Sequence, residues 1–436
     1  MERPRHLPTA DRFPMSAGPN AMGEGSTPEF MEWTALDNGV QVLSERIPTV
    51  RSAALGVWVR QGSAHESDED TGISHMLEHM VFKGTERRSA AEIAMALEGL
   101  GGSLDAYTSR EHTSYQARVL DEHVPEALDV LADLALAPRL EEEDLDLERE
   151  VVLEEIAQVE DTPDDLVFEL HSEGLWGGHP YGRSILGTKD SVSGMSSERL
   201  RELHAARYTG INMTVAATGN VEHAELVDRI GAFFGGVDAG ERAAKILPPG
   251  PTATGVQRLR RDSQQTHIVF GGGVPPHGHE DRFPLILLSS ALGAGMSSRL
   301  FQKVREELGL CYSVFTYQSF YSACGVSGVY VGTRPATAER AAGAVRREME
   351  RVAIDGLPEE ELAVVKRQVK GQVMLSLEST GARLHRLASF AMHEERLQGL
   401  GDLLAKIDAV TGEDVRRVAS DFFDPERQLE LRLGPA

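Results

Sequence analysis

Two stretches of this chain repeat one another, and that repeat limits what the chain can fold into more than any other feature. Arg199–Gly219 and Asp414–Gly434 share one order: helix, aromatic residue (Tyr208, Phe423), turn, apolar strand, glycine. Their first residues lie 215 positions apart in a chain of 436, so the halves are nearly equal in length. An internal duplication at that spacing predicts two copies of one scaffold, each with its own core. A chain this long exceeds one ordinary core in any case.

The patterning between the repeats is mixed. Residues 33–47 and 52–62 alternate as strands do, through Val40, Val42 and Ile47, then Ala54, Gly56 and Trp58. Ser89 and Glu92 form a capping box for a helix that closes at Gly99, Gly101 and Gly102. Residues 103–119 alternate on both sides of Ser109–Glu111, which predicts a hairpin, and helices follow over 122–137 and 141–160. Helix 196–208 and strand 211–219 lead to a further helix ending near Gly236. The stretch 236–257, with Pro248, Pro249, Gly250 and Pro251, reads as a linker flexible enough to let the halves hinge. Beyond it come strand 266–272, helices 280–293 and 297–308, hairpin 311–332, helices 335–354 and 357–395, helix 412–423 and strand 427–433. The expected fold is α+β, with a disordered tail at 1–30 and homologous domains at 31–235 and 258–436. Each domain is expected to be a mainly antiparallel sheet packed by helices.

Composition removes several function classes. A net charge of −24 argues against nucleic acid, whose phosphates need a basic face, and against anionic membranes. It is compatible with basic or unfolded peptides as substrates. No apolar run reaches the ~18 residues that a membrane-spanning helix needs. Cys311 and Cys324 are the only cysteines, too few for a disulfide framework or a cysteine-rich zinc module. The first 30 residues carry Arg3, Arg5 and Arg12 without an apolar segment after them, which is not a secretory signal. Glu2, Asp11 and Glu24 count against a mitochondrial transit peptide, so the expected compartment is the bacterial cytoplasm rather than the mitochondrial matrix.

The chemistry concentrates in residues 71–85. Ile73, Met76, Leu77 and Met80 recur at helical spacing and predict a short, half-buried helix. His75 and His79 are four apart and so share one face, with Glu78 beside them. Two imidazoles and an adjacent carboxylate are what a catalytic zinc ion needs: neutral nitrogen ligands and a group to take a proton from water. The order His-x-x-Glu-His is the reverse of the commoner one. On the motif alone, two histidines on a core or solvated helix remain an alternative, and a third ligand is required. In the acidic helix 141–160, Glu148 and Glu155 are two turns apart on one face, with Val151 and Val152 between them. Most charge runs are solvated faces, whereas a half-buried glutamate needs a partner such as a metal ion or the imidazole of a metal ligand.

These residues carry a resemblance. From about residue 33 onward the chain resembles the pitrilysin family of inverted-motif zinc peptidases, most of all its short bacterial processing proteases and the catalytic subunit of the mitochondrial processing peptidase. In that family the third ligand is a glutamate about 76 residues past the second histidine, with a supporting glutamate seven residues before it. Glu155 stands 76 after His79 here, and Glu148 seven before Glu155. The resemblance implies one Zn2+ held by His75, His79 and Glu155 with water in the fourth position. Glu78 is then the general base, and Glu148 supports a ligand histidine. It also implies an edge strand at Ala106, Tyr107 and Thr108 to which substrate adds as an extra strand. Asp105 stands where related sequences usually carry asparagine, so an altered substrate preference is expected.

Arg305 and Tyr312, an ordinary surface arginine and a hairpin tyrosine on sequence alone, match a pair that reaches substrate from the second half. Such a pair would stabilise the oxyanion or hold substrate carbonyls. Asp165 and Glu169 match two acidic positions that receive substrate arginines in the mitochondrial enzyme, although acidic residues at helix starts are common. At the offset of 215 the ligands and base fall on Ser290, Gly293, Ala294 and Lys370, so the second half is expected to lack a metal site. His112, His171, His179 and His267 are expected to be structural. The implied function is a zinc endopeptidase acting on peptides or unfolded, presequence-like segments, its halves facing each other as a clamshell. Two-domain members pair as homodimers or as heterodimers with a related subunit. The alternative is a non-catalytic scaffold or partner subunit of the same fold, like the respiratory-complex core proteins.

Overall fold

The computed structural model describes residues 30–435, so the tail expected at 1–30 lies almost wholly outside the described residues. Two sheets form the frame. The first comprises β1 (Phe30–Ala35), β2 (Gln41–Arg46), β3 (Ser52–Val59), β4 (Ser103–Thr108), β5 (Thr113–Leu120) and β6 (Met213–Gly219), in spatial order β1-β2-β6-β3-β5-β4. The second comprises β7 (Gly255–Arg260), β8 (Thr266–Val274), β9 (Cys311–Phe320), β10 (Gly325–Thr333) and β11 (Leu429–Gly434), in order β7-β11-β8-β10-β9. Without β1 the two orders coincide strand for strand. Each sheet has a single parallel pair, β2 with β6 and β7 with β11, and every other pairing is antiparallel. The duplication therefore extends to topology and strand direction.

One face of each sheet packs on helices of its own half. On β3, Ala53, Leu55, Val57 and Val59 point into a core with α1 (Ile73–Val81), α2 (Ala90–Glu98), α3 (Val124–Leu136) and α4 (Glu142–Asp161). On β8, Ile268, Phe270 and Val274 do the same in the second half. The opposite faces are covered reciprocally. Helix α5 (Pro163–Trp176), from the first half, lays Val167 against Val269, Tyr330, Leu431 and Leu433 of the second sheet. The helix Thr380–Met392, from the second half, lays Leu384, Leu387, Ala388 and Ala391 against Leu43, Ala54, Trp58 and Ala216 of the first. Period-two alternation makes this possible, because successive side chains of a strand serve the two faces in turn. Gly56 and Gly271 mark the same point in the two sheets, 215 residues apart. A Cβ on Gly56 would lie 2.6 Å from the Trp58 ring, and one on Gly271 would collide with His171 of α5. Each half thus faces the other across an exchanged helix.

Several polar contacts close the seam. Arg60, at the end of β3, donates to the carbonyls of Ala391 and Met392 at the C-terminus of the covering helix, where a cation suits the terminal carbonyls. Arg383 pairs with buried Glu45. The tips of the two equivalent hairpins also meet: Glu111 accepts from Ser322 N–H at 2.9 Å and from Tyr181 O–H at 2.6 Å.

Five sequence expectations change. The alternation over 33–47 is two strands, broken at the Asn38-Gly39 turn, where Asn38 donates to the carbonyls of Phe234 and Val237. Helix α5 was not expected. Helix 297–308 is wound as a π-helix over Phe301–Glu307. Helix 357–395 is two helices, Glu359–Ser376 and Thr380–Met392, because the first packs on the second-half core and the second leaves it for the seam. The expected linker overlaps β7 at its end, and its irregular part is tied down: Gly210 N–H bonds to Asp238 O, Asn212 holds Glu241 and Ala243, and Ala253 N–H bonds to Leu175 O.

Candidate active site

Helix α1 forms because Ile73, Met76, Leu77, Met80 and Val81 bury against the first core. No side chain of its own caps its first turn. Glu66 caps it from the preceding loop, its carboxylate accepting Gly72 N–H at 2.8 Å and Ser74 N–H at 2.9 Å. Burial pushes this carboxyl up to about 7, against the two N–H bonds and the charge of Arg183, which favour the anion. A folded-state value above the ordinary 4.5 means that folding favours the protonated form. The resulting stability is complete below pH 4.5 and is lost as pH rises through about 7. Glu66→Gln is expected to flatten the stability-versus-pH curve across that window in denaturant titrations. An unchanged slope would refute this account.

His75 and His79 project from one face of α1, their Nε2 atoms 3.2 Å apart. Helix α4 packs alongside, with Leu145, Glu148, Val152 and Ile156 buried. Its Glu155 brings one carboxylate oxygen to 3.6 Å from His75 Nε2 and the other to 3.8 Å from His79 Nε2. Among the described residues this is the single group of three His, Cys, Asp or Glu side chains able to share a metal ion. The donor set fits zinc. Two nitrogens bound at about 2.0–2.1 Å in a tetrahedron stand about 3.3 Å from each other, close to the 3.2 Å between these Nε2 atoms.

The surroundings favour that use. Glu148 accepts from His79 Nδ1 at 2.8 Å, which fixes the ring and leaves Nε2 as the donor atom. Lys83 pairs with the other oxygen of Glu148. Burial acts to raise the Glu148 carboxyl, but the His79 and Lys83 bonds outweigh it and hold it below the usual range. Burial, helped by the neighbouring His79, holds His75 down to about 4, so its ring is neutral and able to ligate. His79 is raised: burial opposes its charge, and Glu148, Glu155 and Glu78 outweigh that. Burial also raises Glu78, with Glu155 adding to it, against Thr108 and His79. His75 Nδ1 is buried without a hydrogen-bond partner.

Ala106, Tyr107 and Thr108 lie on β4, the outermost strand of the first sheet, so their outer edge carries no neighbouring strand. Thr108 Oγ1 donates to Glu78 Oε2 at 2.7 Å, which puts this edge beside Glu78. Asp105 is exposed on the same strand. Asp165 and Glu169 are one turn apart on α5, the first exposed and the second half-buried with Oε2 enclosed and unpartnered. Arg305 and Tyr312 are not brought to the cluster. Arg305 stacks on Tyr312 at 4.8 Å and on Phe301 at 4.5 Å, and Tyr312 is 77% exposed. Ser290 and Gly293 end a second-half helix, and Lys370 pairs there with Asp408 at 2.6 Å. His112, His171, His179 and His267 each have a separate partner: Tyr107, Leu429 O, Leu247 O and Tyr330.

Sequence reasoning passed over Glu66, Lys83 and the side chain of Thr108. Lys83, two residues past the helix end, carried a usable signal, since a cation is favoured at a helix C-terminus. Glu66 sits in an acidic loop with no periodicity to single it out.

Two α+β halves of one topology, one of which carries a His–His–Glu cluster able to share a metal ion, make up the chain. Residues 41–189 match the family profile "Insulinase (Peptidase family M16)", and residues 194–369 match "Peptidase M16 inactive domain". The chain belongs to this M16 peptidase family, the insulinase and pitrilysin family. It is 38% identical over 409 residues to a protein of Streptomyces coelicolor named an uncharacterized zinc protease, spanning 92% of this chain and 89% of that one. A Bacillus subtilis relative, uncharacterized zinc protease YmxG, is 38% identical over 394 residues, spanning 90% of this chain and 96% of that one. Two solved structures share the fold. One is titled a peptidase M16 inactive domain from Pseudomonas fluorescens (TM-score 0.88, 20% identity, 93% of this chain and 98% of that one). The other is a protease from Helicobacter pylori (TM-score 0.86, 23% identity, 93% and 100%). No helix among the described residues is long and apolar enough to cross a membrane.

Proposed function

We propose that the chain is a zinc-dependent endopeptidase that cleaves extended peptides or unfolded segments, with His75, His79 and Glu155 as the ligands. The observation that carries this reading is the meeting of His75, His79 and Glu155 beside a carboxylate, Glu78, tied to a free sheet edge. Zinc, when bound there, supplies Lewis acidity, which makes water acidic near neutral pH and polarises a carbonyl. Substrate lies along β4 as an added strand, its backbone bonded to the outer edge of Ala106–Thr108. A folded protein has no such free strand to offer, so unstructured segments are selected. Glu78 takes the proton of the attacking water and delivers it to the leaving amine. Glu148 holds His79 in the tautomer that keeps Nε2 available. Asp165 and Glu169 favour basic residues in the substrate.

The Arg305–Tyr312 pair supplies oxyanion stabilisation to the site of a second copy, so the working unit is a pair of chains. A non-catalytic scaffold of the same fold has no need of Glu78 or of the Glu148 support, and both are present here. The test is to purify the protein, measure bound zinc and assay unstructured peptides with and without arginine. Expected are about one zinc per chain, cleavage that chelation abolishes and zinc restores, and faster turnover of basic peptides. Absence of zinc, or cleavage indifferent to chelation, overturns the reading.

A further inference from the structure

We propose that Thr108 is a positioning residue for Glu78: its hydroxyl, and not only its backbone on the edge strand, sets how well the base is aligned. This rests on the peptidase reading above. Thr108 Oγ1 is 2.7 Å from Glu78 Oε2. A threonine hydroxyl has one hydrogen to give. The other polar neighbour, Thr113 Oγ1, lies 3.4 Å away, and its own hydrogen goes to Gln61 O at 2.8 Å. Thr113 is buried and paired with Thr108 across the hairpin, so this arrangement is held by the sheet. The Thr108 hydrogen is therefore directed at the carboxylate.

The hydroxyl bond anchors one oxygen of the base to the strand, so the carboxylate is held in one orientation while it takes the proton from water and returns it to the amine. A glutamate side chain has three rotatable bonds, and a misplacement of about 1 Å in a reacting group costs on the order of 10^2-fold in rate. The same strand residue also binds substrate backbone, which makes docking along β4 and alignment of the base two functions of one position.

The experiment compares wild type, Thr108→Val and Thr108→Ser in the zinc-loaded protein. Valine keeps the shape and the strand but gives no hydrogen bond; serine keeps the donor. Expected for Thr108→Val are unchanged zinc content, unchanged KM and a kcat lower by about 10- to 10^2-fold. Thr108→Ser is expected to return to within about threefold of wild type, since the hydrogen bond is restored. Full kcat in Thr108→Val, a loss expressed only in KM, or a serine variant as slow as valine overturns the inference. An active wild type beside a fully active Thr108→Val defeats this inference alone. An inactive wild type defeats the peptidase reading and this inference with it.

Discussion

Glu78→Gln is expected to keep its zinc and to lose peptide cleavage by about 10^3-fold in kcat, within the range that removal of a general base produces. Glutamine has the same shape, and its amide oxygen still accepts from Thr108, so the side chain stays in place. It cannot take a proton from water. His75, His79 and Glu155 are untouched, and zinc content measured on the purified variant should match wild type. Glu155→Gln gives the opposite pattern. The third donor loses its charge, zinc is lost on dialysis, and activity falls because the metal has gone. Measuring metal and rate together separates the two roles. A Glu78→Gln protein that cleaves at the wild-type rate would show that the base lies elsewhere.

The second large effect concerns Arg305 and Tyr312. Glu78 is tied to Thr108, three residues before Glu111, and Glu111 binds Ser322 at the tip of the β9–β10 hairpin. From Ser322 back to Tyr312 is ten residues, about 33 Å of extended chain. Tyr312 therefore stands at the far end of its strand from the junction with the hairpin to which Glu78 is hydrogen-bonded. If the pair serves a second copy, Tyr312→Phe and Glu78→Gln are each nearly inactive alone, the first by about 10^2- to 10^3-fold. Mixed and allowed to exchange subunits, they should recover roughly a quarter of wild-type activity, since half the random pairs are mixed and each has one intact site. No recovery, with exchange verified by tagged subunits, would mean that the pair acts within its own chain or not at all.

The parts of the site legible in the sequence were those carried by one helix. His75, Glu78 and His79 are placed by α1, whose apolar spacing is unambiguous, and Glu148 and Glu155 are fixed relative to each other by two turns of α4. That α1 and α4 lie side by side followed only from the family resemblance. Of the elements that sequence reasoning missed, one answers to the other half of the molecule. Helix α5 buries Val167, His171 and Leu175, yet its partner surface lies about 100 residues or more downstream. Strand β7 is exposed along nearly its whole length, so no alternation marks it. The break between Ser376 and Thr380 has no glycine or proline, because the change of packing partner causes it. The linker looked mobile by composition, and its backbone bonds, invisible to composition, tie it down.

The exchanged helices bear on how the chain is made. While the first half leaves the ribosome, the face formed by Leu43, Ala54, Trp58 and Ala216 has nothing to cover it until residues 384–391 have been synthesised. Its own helix α5 is meanwhile bare on the side destined for the second sheet. The first half cannot finish folding before the helix that covers it, in the second half, has been made. Maturation is expected to be a late, concerted docking rather than a domain-by-domain process. Either half expressed alone should present a sticky apolar sheet and aggregate, whereas the two halves expressed together as separate chains should find each other.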